Sequence, residues 1–71
     1  PNKYVTLEIL AELYLRKSIT AKNKQNILQS YDFKKKAIDC MNEALQIVKA
    51  NFPDNSSRVI STQDKLEKLK Q

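Results

Sequence analysis

The 71 residues of this chain include no glycine, no histidine and no tryptophan, with one cysteine and two prolines. The missing glycine weighs against a β-rich fold, because tight hairpin turns depend on Gly or Asn-Gly for their left-handed backbone. It also leaves no glycine-rich loop to cradle a phosphate. The missing histidine removes the usual general base and the usual activator of a catalytic thiol. Carboxylates, Lys, Tyr and Ser are the only catalytic candidates that remain, so the chain is expected to have no enzymatic activity and no cofactor. The acid pairs Glu8/Glu12 and Asp39/Glu43 are spaced i, i+4, but without His or further convergent acids the ligand count falls short of a metal site. They read as solvated helix faces.

A single Cys40 excludes an internal disulfide and fits a reducing compartment, cytosol or nucleus, where it serves as a small half-buried apolar residue. No apolar run approaches the roughly 18 residues of a membrane span, and no basic-then-apolar leader opens the chain. A start at Pro1 rather than Met is expected of an excerpt from a longer protein.

What is present suits one small helical domain over 1–71. The chain is 41% hydrophobic and 30% charged, a balance of small globular domains rather than disordered ones. The net charge of +5 is local: between Arg16 and Lys36, seven basic residues face one acid, Asp32. Lys17, Lys22, Lys24, Lys34, Lys35 and Lys36 are therefore the candidate anion or polyanion patch; the alternative is the solvated surface of a Lys- and Asn-rich protein.

The periodicity predicts an all-α fold, a small array of three helices. Helix A, near 5–17, carries Leu7, Leu10, Ala11 and Tyr14 at i, i+3, i+4, i+7. Ile9, Leu13 and Leu15 widen that stripe until only a narrow polar strip of Glu8, Glu12 and Arg16 remains. Residues 18–30, rich in Ser, Thr, Asn and Lys, read as a long loop with helical character at 22–29. Helix B, near 32–52, is capped by Asp32 or Ser30. It aligns Ala37, Met41, Ala44, Val48 and Phe52 on one face, flanked by Ile38 and Leu45. Pro53 ends it, because the residue before proline is pushed out of the α region. Ser56 or Ser57 then starts a capping helix near 57–69, with Val59, Thr62, Leu66 and Leu69 inward.

The stretches "ILAELYLRK" and "KKAIDCMNEALQIVKANFPDNSSRV" resemble a tetratricopeptide repeat. Leu10, Ala11, Leu13 and Tyr14 stand at the helix A core positions of that family, and Ala37, Met41 and Ala44 at those of helix B. The ending "ALQIVKANFPDNSSRV" is similar to the kinesin light chain-like variety. The sequence departs from the pattern in lacking the glycine of the short A–B turn, and in Met41, where an aromatic is common. It therefore looks like a degenerate or terminal repeat. A second resemblance is to MIT domains, three-helix adaptors of membrane-remodelling machinery, whose third helix "STQDKLEKLKQ" suits; their short turns suit the 18–30 segment less.

Protein binding is the function these resemblances imply: a non-catalytic adaptor that takes a partner peptide or helix. The outward strip of helix A, Glu8, Glu12, Leu15 and Arg16, would line the groove. Another copy or adjoining repeats are further expected neighbours of the apolar helix A. Nucleic-acid binding through the basic segment is the rival. Cationic residues at a helix N-terminus oppose its dipole, and the patch lacks interleaved aromatics for base stacking.

Overall fold

The computed structural model describes residues 3–70, and the fold is all-α. Helix α1 spans Lys3–Asn23, α2 spans Ile27–Asn51 and α3 spans Ser57–Lys70. The first two form an antiparallel hairpin, and α3 folds back against it.

Besides Glu8, the buried positions of α1 are Leu7, Ala11, Ser18 and Ala21, with half-buried Tyr14 between them; those of α2 include Ala37, Met41, Ala44 and Val48. Both sets advance by alternating steps of four and three residues, the period that keeps a seam facing a partner helix along its whole length. Ala11, Ala37 and Ala44 are wholly buried, and their small side chains let the two backbones approach closely. Leu10, expected in the α1 stripe, lies at its edge and is exposed.

Residues 18–30 are a correction to the sequence expectation: there is no long loop. α1 continues to Asn23 and α2 begins at Ile27, so Asp32 and Ser30 lie inside α2 rather than capping it. Ser18 occupies a seam position, where its hydroxyl donates to the Ser30 carbonyl at 2.8 Å and lies 3.1 Å from the Ser30 hydroxyl. A polar residue there is tolerated because its hydrogen-bonding need is met across the seam. Thr20 likewise returns its hydroxyl to the Arg16 carbonyl at 3.0 Å and stays helical.

The turn between the helices shows how a chain without glycine reverses. Gln25 N–H donates to the Lys22 carbonyl (3.0 Å) and Asn26 N–H to the Ala21 carbonyl (2.8 Å). These are the two bonds of a Schellman stop, which needs a left-handed residue at the position Gln25 holds, with φ 64°. Asn26 then caps α2, accepting from Gln29 N–H at 3.3 Å while its amide donates to the Gln29 side chain at 2.8 Å. A side chain with a Cβ in the left-handed region costs about 1–2 kcal/mol, whereas glycine is at ease there. Gln25→Gly is therefore expected to stabilise the domain by about 0.5–1 kcal/mol, after the larger backbone freedom of unfolded glycine is deducted. The midpoint of a denaturant titration reads this directly, and a lowered midpoint would show that the turn holds no strain.

The second half of the chain follows the sequence closely. Phe52 is extended (φ −134°, ψ 151°) in front of Pro53 and closes α2 by donating its N–H to Val48. The Ser56 hydroxyl accepts from Val59 N–H at 3.3 Å and starts α3. Val59, Thr62, Leu66 and Leu69 are all buried, as their spacing predicts. At 14 residues against 25, α3 is about 21 Å long beside a helix of about 37 Å, so it covers little more than half of the hairpin.

Candidate protein-binding surface

The strip expected on helix A is open at Glu12, Arg16 and half-buried Leu15 but not at its first residue. Glu8 is a correction: it is buried, because α3 crosses this side of α1. Its carboxylate pairs with the Arg58 guanidinium, lies 3.7 Å from Lys65 Nζ and sits 3.0 Å from the Thr62 hydroxyl. That hydroxyl is equally close to the Arg58 carbonyl and shares its one proton between the two acceptors. Above the ion pair, the Arg58 guanidinium stacks 4.5 Å from the Tyr4 ring, which meets Phe52 edge-on with centroids 5.9 Å apart. Together these contacts fix the start of α3 to the first turns of α1.

Half-buried Leu15 and exposed Glu12 line a cleft of about 170 Å³ between α1 and α3, with Lys68 and Leu69 opposite. Exposed Arg16, one turn on from Glu12, borders a separate cleft of about 270 Å³ shared with Lys17, Lys24 and Phe33.

The basic segment is divided in the same way. The Tyr14 and Phe33 rings stack across the hairpin at 6.2 Å. Lys17 Nζ lies 5.9 and 5.8 Å from these two rings, and Lys36 Nζ 5.9 and 6.0 Å. These two cations are thereby committed to the aromatic pair. Lys22 and Lys34 stand on the opposite, α3 side of the hairpin, with Lys35 beside them, and Lys24 stands at the turn. Cys40 is half-buried on α2, and burial, followed by the Glu43 and Asp39 carboxylates, pushes its thiol up. This favours the neutral thiol and works against its use as a nucleophile.

Among the described residues, exposed apolar side chains gather in two places, apart from Leu28 and Ile60. One is the back of α1, where Val5, Ile9 and Leu13 succeed one another at i, i+4 with Leu10 alongside. The other lies at the turn end of the hairpin, where Ile19, Ile27 and Tyr31 are 52, 64 and 70% exposed. The second group was hidden from sequence reasoning by the loop assignment of 18–30. The signal was nevertheless present: Ile19 follows Leu15 by four residues, and Tyr31 follows Ile27 by four. Among the described residues no helix is long and apolar enough to cross a membrane. Comparison with family models, curated proteins and solved structures finds no match to this chain.

Proposed function

We propose that this chain is a non-catalytic protein-interaction module that binds a partner peptide or helix, in the manner of tetratricopeptide-like repeats or, alternatively, MIT-like adaptors. The observation that carries this reading is the apolar surface left open on the hairpin, on the back of α1 and at the turn end. Contiguous exposed apolar surface marks interaction sites on small domains. The short α1–α2 turn supports an MIT-like arrangement, and α3 folded over one side supports a terminal helical repeat. Separation of the basic side chains onto two faces weakens the nucleic-acid alternative, which gains most from a continuous phosphate-binding stripe. A half-buried single Cys40 agrees with a cytosolic or nuclear setting.

Affinity capture from cell extract tests this with three baits: wild type, Ile9→Asp/Leu13→Asp on the back of α1, and Ile27→Asp/Tyr31→Asp at the turn end. All four positions are exposed, so each bait should keep its helical content. At least one protein retained by wild type should be lost from one variant, with sedimentation velocity checking for self-association. Identical captures for all three, from a monomer, would remove the support for an interaction module.

A further inference from the structure

We infer that the uncovered half of the α1–α2 groove is a docking site for a short amphipathic helix with acidic flanks, an inference that rests on the interaction reading above. The groove is continuous with the one α3 already fills. At the end of α3, Leu69 faces Leu15 and Met41, and Lys70 adjoins Ile38 and Lys34. Beyond that point the walls continue for about two helical turns. Leu15, Ile19 and Lys22 come from α1, and Ile27, Tyr31 and Lys34 from α2, around a space of about 300 Å³. At its base the Ser18 hydroxyl is satisfied within the hairpin by Ser30, so an apolar occupant need not supply that bond.

α3 shows which shape this groove accepts. It lies in the groove as a helix and inserts Val59, Thr62, Leu66 and Leu69 at steps of three and four. A second helix seated end to end with it would meet the same two walls with the same spacing. The apolar side chains line a concavity, which receives a helix ridge better than it meets a flat lipid surface.

Charge selects the occupant. Lys22 stands on the rim, and Lys35 and Lys70 line the adjoining space of about 380 Å³. Among the described residues, no Asp or Glu lines either space. A second copy of this chain is a poor fit. α1 and α3 each carry four basic residues against two acidic, and α2 carries four against three. Every helix this chain could offer is thus net positive and would bring like charge to a basic rim. A foreign helix with Leu or Ile on one face and Asp or Glu beside it complements both the floor and the rim.

The test uses three labelled peptides of the length of α3. One has leucines at the α3 spacing flanked by glutamates, the second has lysines in place of the glutamates, and the third is the acidic peptide scrambled to destroy the stripe. Binding is followed by fluorescence anisotropy at physiological salt, and the site by NMR amide shifts. The acidic striped peptide should bind, should move the signals of Ile19, Ile27 and Tyr31, and should outbind the other two. Its affinity should fall on the order of tenfold or more with Ile27→Asp/Tyr31→Asp, and also with Lys22→Glu/Lys35→Glu, which leaves the floor intact. Equal binding of the lysine or scrambled peptide would overturn the proposal. So would wild-type binding to phosphatidylserine vesicles without binding to the peptide, or shifts confined to the back of α1. A cellular partner lost only from the Ile9→Asp/Leu13→Asp bait would keep the interaction module and reject this groove. A groove already covered by another segment of the same polypeptide would reject it as well.

Discussion

Ala44→Glu is expected to abolish most of the stability of the domain. Ala44 is wholly buried in the α1–α2 seam, as are Ala11 and Ala37. A fully enclosed methyl leaves no room for four further heavy atoms, two of them charged oxygens. The substitution combines overpacking with an unpaired buried charge, a loss of several kcal/mol. A domain of this size holds about 4–10 kcal/mol in total. Loss of the cooperative thermal transition in far-UV circular dichroism is therefore the expected result, while Ala50→Glu, on the exposed last turn of α2, should leave it in place. If both variants melt like wild type, the seam has been assigned to the wrong helix face.

Glu8→Ala should produce the next largest loss. The Glu8 side chain is only 7% exposed and holds two cations and a hydroxyl, so its removal strands Arg58 in the joint between α1 and α3. Breaking a fully buried ion pair costs about 3–5 kcal/mol. The Arg58 and Lys65 side chains are 30% and 41% exposed and can turn toward water, which lowers the expected cost to about 2–3 kcal/mol. For a domain of this size that is a drop in Tm on the order of ten to twenty degrees. Glu8→Ala/Arg58→Ala should be less damaging than the two single losses added together, because the second change removes the stranded charge. Additive losses, or a single loss below about 0.5 kcal/mol, would show that the joint behaves as an exposed ion pair.

The two variants probe parts of the chain that differ in how far the sequence exposes them. The α2 stripe was legible: Ala37, Met41, Ala44 and Val48 share one helical face in any helix covering 37–48, and all four are buried, joined by the flanking Leu45, while Phe52 at the end is half-buried. The stop at Pro53, a cap at Ser56 or Ser57 and the inward set of α3 were equally legible, since each depends on neighbours in sequence; the structure selects Ser56. The turn was not. With no glycine to mark it, the Schellman stop falls on Gln25, and the surrounding Ser, Thr, Asn and Lys residues imitate a loop by composition while forming helix by contact. Ile19, Ile27 and Tyr31 stayed ungrouped for that reason, because they share a surface only once 18–30 is two helix ends.

Taken alone, the amino-acid sequence determined the all-α class, the three helices, the face of α2 that is buried and the place where α2 ends. These follow from side-chain period, proline sterics and local capping, which act over a few residues. The tertiary structure decided which side of α1 receives α3, and so turned Glu8 from an expected surface residue into a buried one. It also divided the basic segment between the Tyr14–Phe33 pair and the open groove. A period states which residues share a helix face. Whether that face meets water, another helix or an opposite charge depends on Arg58, Thr62 and Lys65, at least fifty positions away in the chain.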